Sequence, residues 1–318
     1  MNIIGSGDIM NNIVKRSLYY YDLIWREYDD NKKNFKDIKN KDKRFIRFLR
    51  KFLLKDDEII NPKYIIKTDK DDQVFIITDE ITDEYVKFRL VLCKTNALPL
   101  IEQSGKLEEL SEIIDDEQNI AEVTHCIYFV NRGILGAEFN FFGARVSAIA
   151  SYMKKILFDD DGDDKNYAIR FNEKINEKAY EQLSDKKGMT LFKIGYKPDS
   201  EAYAKILSHH RVFSGPYNAN PEADIIEITI KKRKTKKNNA GLEEILSHEE
   251  IKELVNKYRT DLSNFSISQG VYSDCIDLLS DKMVGKVELV RTNRRTIDRM
   301  DMYSKIIQFY EDNIDDDE

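Results

Sequence analysis

The 318 residues are 41% apolar and 34% charged, which suits one large or two ordinary domains with a real core. No apolar run approaches the roughly 18 residues of a membrane helix, and no basic start with an apolar stretch marks a secretion signal. Cys93, Cys126 and Cys275 match neither a zinc spacing nor a disulfide framework, so a reducing cytoplasm is the expected compartment.

The net charge of −7 hides a strong asymmetry. The run "DDDGDD" at 159–164 carries −5 and "EDNIDDDE" at 311–318 carries −6; without those eleven charges the rest of the chain is at +4. "KKRKTKK" at 231–237 carries +6, and residues 36–55 hold nine Lys or Arg against Asp37 and Asp42. Such an arrangement bears on partners and not on fold.

In chain order, "SLYYYDLIW" (17–25) reads as an opening strand. A helix is predicted near 42–54, with Phe45, Ile46, Phe48, Leu49, Phe52 and Leu53 on one side. Lys43, Arg44, Arg47, Arg50, Lys51 and Lys55 fall on the other. "KYIIKT" and "QVFIIT" flank Asp69–Asp72 as a hairpin, and "YVKFRLVLC" (85–93) is a further strand. "EVTHCIYFV" (122–130) and "ILGAEFNFF" (134–142) form a second hairpin through Asn131-Arg132-Gly133. The following helix buries Val146, Ile149, Ala150, Met153 and Leu157 and stops at the acidic run.

The second half repeats the mixture. "LFKIGY" (191–196) and "DIIEITIKK" (224–232) read as strands, and Ser247 with Glu250 makes a capping box for a helix carrying Ile251, Leu254, Val255 and Tyr258. A final helix is expected to bury Ile297, Met300, Tyr303, Ile307, Tyr310 and Ile314. Hairpins instead of crossover helices predict an α+β fold with mainly antiparallel sheets. The expected division is residues 10–158, an acidic linker at 159–165, and 166–318.

Signatures of chemistry are scarce. No P-loop is present. Placing Gly162 at the invariant glycine of a calcium loop puts Leu157 and Ala168 where carboxylates are required. His125 and Cys126 adjoin on a strand, so they point to opposite faces and cannot act together. His209-His210-Arg211 lacks carboxylates at ligand spacing. No catalytic residue, metal or cofactor is expected.

The basic groups carry the functional expectation. Lys231, Lys232, Arg233, Lys234, Lys236 and Lys237 follow a strand, where they either blunt a sheet edge or bind phosphates. Arg44, Arg47 and Lys51 give the predicted first helix a basic outer surface, with core packing favoured over membrane contact. Arg294, Arg295 and Arg299 stand near the start of the last helix, where positive charge opposes the helix dipole and an anion would relieve it. Arg145 occupies a similar place. With Gly143 before it, "FGAR" has the chemistry of a phosphate contact; the alternative is a bend glycine with Arg145 paired to Glu138 or a neighbour.

"FVNRGILGAEFNFFGARVS" resembles the strand–loop–helix junction of the RexA-like phage-exclusion proteins of lambdoid prophages, with Phe129, Val130, Gly136, Phe142, Gly143 and Ser147 in step. The final helix before a polar tail is similarly placed, and Ala144 stands where that family has a proline. The resemblance implies a cytoplasmic homodimer that binds double-stranded DNA without strong sequence preference. It also implies a role as sensor in bacterial anti-phage defence by abortive infection, with a cognate membrane protein as effector. A metal-dependent nuclease of a phage-defence system is the alternative.

Overall fold

The structure, a computed structural model, describes residues 13–29, 33–55, 58–95, 99–110, 115, 118–161, 166–176, 189–198, 200, 202–205, 223–231, 248–269, 276–279, 282–292 and 296–313. The fold is α+β, with strand predominating and a large antiparallel curled sheet. The chain divides into two compact units, Met1–Phe171 with Gly285–Glu318, and Asn172–Val284. The second unit is thus an insertion in the sequence of the first. That division lies away from the acidic run, because the strand that follows the run returns to the sheet of the first unit.

The strands of the first half are β1 (Ile13–Asp29), β2 (Asn34–Asp37), β3 (Ile66–Lys67), β4 (Gln73–Ile81) and β5 (Tyr85–Lys94). Next come β6 (Leu100–Gln103), β7 (Lys106–Glu109), β8 (Ile120–Phe129) and β9 (Ile134–Glu138). The second half adds β10 (Tyr167–Glu173), β11 (Met189–Tyr196), β12 (Ile226–Lys231), β13 (Leu262–Gln269), β14 (Ile276–Asp277) and β15 (Val284–Val290). The longer helices are α1 (Lys41–Arg50), α2 (Ser147–Asp161), α3 (His248–Tyr258) and α4 (Arg299–Glu311).

In the first unit the sheet runs β10-β1-β9-β8-β5-β4-β3, and β2 and β15 also pair with the long β1. Both expected hairpins form: β3 pairs β4 across Thr68–Asp72, and β8 pairs β9 with Gly133 at φ 65°, a conformation glycine adopts cheaply. Helices cover both faces, which explains why β8 and β9 read as continuous apolar runs. One face of β8 supplies Cys126 and Tyr128 to a core with Phe45, Phe48, Phe52, Phe88, Tyr152 and Met153 from α1, α2 and their neighbours. The Phe45 ring meets Tyr128 at 4.7 Å and Phe171 at 5.8 Å. Buried Thr78 closes the end of α1, its hydroxyl donating to Leu49 O at 2.7 Å and its N–H to Phe52 O at 2.9 Å.

On the opposite face α4 packs over β8 and β9. Gly136 leaves room for it: a Cβ there would meet Ile306 Cγ2 at 2.7 Å. Gly285 likewise admits the Phe309 ring. Those two close approaches set the helix rotation, so the buried residues are Met302, Tyr303, Ile306 and Tyr310. The stripe expected from the sequence is corrected accordingly, since Met300 is 53% exposed and Ile307 is only half-buried; Ile314 lies outside the described residues.

Two further expectations change. Helix α1 ends at Arg50 instead of residue 54, yet Phe52 stays buried through the turn that follows, while Leu53 is exposed. Strand β9 ends at Glu138 and not at Phe142. Its continuation is diverted by the Asn140 side chain, which donates to Val123 O at 2.9 Å and accepts from the Phe142 N–H at 3.2 Å.

The second unit is built on the sheet β12-β11-β13-β14, with Phe192, Ile194, Phe265 and Ile267 buried under Ile251, Leu254 and Val255 of α3. Ser247, the expected cap of α3, lies outside the described residues. The chain entering and leaving this unit is tied by the bridge Ile175–Lys282 and by the Lys282–Glu173 ion pair at 2.6 Å. No helix among the described residues is long and apolar enough to cross a membrane.

Candidate nucleic-acid interface

The cations of the first unit fall into two groups, those held by carboxylates and those that are not. Beneath α4 a polar row crosses the sheet, because register sets Arg89 of β5 opposite His125 of β8. Arg89 holds Asp79 with two of its nitrogens, Nε at 3.0 Å and Nη2 at 2.7 Å. The Tyr303 hydroxyl donates to the same carboxylate at 2.6 Å, and Arg299 Nη1 reaches it at 2.9 Å. Burial, followed by the charge and hydrogen bond of Asp79, pushes the Tyr303 hydroxyl well above its ordinary value.

Beside this cluster His125 Nδ1 lies 2.5 Å from Glu138 Oε1, and Arg16 Nε is 3.6 Å from the other oxygen. His125 and Glu138 are both buried, and Cys126 points into the opposite core, as alternation on a strand requires. Burial pushes the Cys126 thiol up, with a smaller push from Glu138. His125 Nδ1 therefore has its partner, the Glu138 carboxylate, within the fold.

The outer face of α1 is different. Lys43, Arg44, Arg47 and Arg50 are exposed and make no ion pair among the described residues. Arg47 and Arg50 sit in the last turn, where the helix dipole favours them. Lys51 is half-buried and has a partner within the fold. Since Phe45, Phe48 and Leu49 fix the inner side, this basic face has a defined direction.

The remaining expected site residues divide. Lys231 ends β12 in the second unit and is exposed, whereas Lys232, Arg233, Lys234, Lys236, Lys237, Arg294 and Arg295 lie outside the described residues. Arg299 begins α4 at 47% side-chain exposure, but Asp79 already supplies its anion, which corrects the expectation that a bound partner relieves the helix dipole there. Gly143 is buried against Thr124 Oγ1 and Asn140, where a Cβ would lie 2.7 Å and 2.8 Å from their atoms. The bend therefore demands glycine for close side-chain approach.

Arg145 is exposed and is not paired with Glu138. Its guanidinium stacks 4.0 Å from the Phe139 ring centre and donates at 3.4 Å to the carbonyls of Asn140 and Phe141. The strand assignment of 134–142 obscured three rings, Phe139 and Phe141 beside Arg145 and Phe142 against Phe141, which are 39%, 70% and 60% exposed. The signal available in the sequence was Asn140 three positions before Gly143, a turn pattern inside an apolar run.

Among the described residues no group of three or more His, Cys, Asp or Glu is placed to hold a metal ion. His209, His210 and Cys275 lie outside them. No protein-family model matches the chain, and no curated protein matches it.

Proposed function

We propose that this chain is a cytoplasmic, sequence-nonspecific double-stranded DNA-binding protein that acts as a homodimeric sensor in bacterial anti-phage defence and signals to a membrane effector. The observation that carries the DNA-binding part is the outer face of α1: four exposed cations, free of carboxylates among the described residues, on a helix whose other side is locked into the core. Cations in that state exchange small counterions for phosphates, and the entropy of the released ions drives association with any sequence. The defence role, the dimer and the effector rest on the resemblance of residues 129–147 to the phage-exclusion family. Because α4 spends its apolar side on its own sheet, a dimer would form through another surface.

The test is a gel shift of the full chain with several unrelated duplexes, at two salt concentrations, with and without magnesium. Similar affinity for every duplex, weakened by salt, is expected. Magnesium-dependent cleavage of the duplex would replace this reading with the nuclease, and absence of any shift at low salt would remove nucleic acid as a ligand.

A further inference from the structure

We infer that the loop after β9 is a stacking site for unpaired nucleobases, so that the protein engages single-stranded segments of DNA in a second way, distinct from its basic helix. The inference deepens the DNA-binding reading and rests on it.

Three features point to that ligand. Phe141 and Phe142 are the most solvent-exposed members of an aromatic group that also includes Phe139, and their rings meet edge to face at 5.1 Å instead of stacking face on face. Exposed Phe side chains forgo the stabilisation of burial, so a cluster of them on a surface loop marks a contact site. The loop is also pinned. Phe139 N–H donates to Ser17 O at 2.7 Å, Asn140 bonds Val123 O and Glu122, and Thr124 Oγ1 donates to Ala144 O at 3.0 Å. A pinned platform loses little freedom when a ligand stacks on it.

Charge then selects among apolar ligands. Arg145 stacks against Phe139, and Lys94 Nζ stands 5.3 Å from the Phe142 ring centre. Neither forms an ion pair among the described residues. Flat apolar faces beside free cations match a strand whose bases present π-faces and whose backbone carries phosphates. In an intact duplex the bases are already stacked on one another. The ligand that gains most is a strand with unpaired bases.

The test uses the full chain and fluorescently labelled twenty-residue oligonucleotides, on the order of a two-site footprint: a normal single strand, an abasic strand of equal charge, and a duplex. The wild type should prefer the base-bearing strand over the abasic one by at least about fivefold, the value of one stacked base. The double variant Phe141→Ala/Phe142→Ala should lose that preference while its duplex affinity and melting temperature stay close to wild type. Equal wild-type affinity for base-bearing and abasic strands overturns the inference, and duplex binding in the same assay shows that the DNA-binding reading survives. No binding to any oligonucleotide overturns both. Vesicles of phosphatidylglycerol form a further arm: binding to them that needs Phe141 and Phe142, with no base preference, reassigns the loop to a lipid surface.

Discussion

The two faces of the large sheet bury their helices by different means. Under α1 and α2 the contact is almost wholly apolar, with Phe45, Phe48, Phe52, Phe88, Tyr128 and Tyr152 interlocked edge to face. Under α4 the sheet presents Asp79, Arg89, His125, Glu138 and Lys87, and the helix answers with Arg299 and Tyr303. The difference decides which cations are available. Those beneath α4 are already neutralised by carboxylates inside the fold, whereas those on the outside of α1 are held in place by a core they do not touch. Packing that needs no charge leaves charge free for a ligand.

The largest effect should come from the apolar face. Phe45→Ala empties a site bounded by four rings and should cost about 3–5 kcal/mol. Denaturant melts measure it, and a loss below about 1 kcal/mol would show that α1 is not anchored as described. On the other face, Asp79→Asn removes the anion shared by Arg89 and Arg299. About 2–3 kcal/mol is expected, less than for a fully buried pair because both arginines keep some water contact. A neutral result would mean that α4 is held by its apolar residues alone.

Thr78 is the polar exception on the apolar face. Thr78→Val strands the carbonyl of Leu49 and should cost about 1–3 kcal/mol in the same melts; an unchanged midpoint would mean water replaces the hydroxyl. Smaller still near neutrality is the pH effect. The hydroxyls of Tyr20, Tyr128, Tyr152 and Tyr303 are all raised above the ordinary 10.0, chiefly by burial. Above about pH 10 the unfolded chain releases protons that the folded chain retains, so their contribution is intact below that pH and declines as pH rises. Tyrosinate absorbance from these four should therefore appear together with loss of circular dichroism. Titration of all four with the fold intact would show that they are not buried.

How much of this was visible beforehand follows from the range of the interactions. The rhythm of α1, Phe45-Phe48-Leu49, is local and marks both its core side and its basic side. The Gly133 hairpin is local too. The register of α4 is not, because Gly136 and Gly285, far away in sequence, decide which residues lie against the sheet. The polar row was also hidden: Asp79, Arg89, His125, Glu138 and Tyr303 come from five separate elements and meet only once strand pairing sets Arg89 beside His125. At the loop after β9, alternation suggested more strand, and the capping of Val123 O by Asn140 overrode it.

The central claim is that unpaired cations on the outside of α1 bind phosphate. It is tested most directly by the salt dependence of duplex affinity for the wild type and for Arg44→Ala/Arg47→Ala. Both positions are exposed, so stability should change by no more than about 0.5 kcal/mol. Loss of two phosphate contacts should make the slope of log affinity against log salt shallower by about 1.8, and it should weaken every duplex alike. An unchanged slope in a folded double variant would contradict the account.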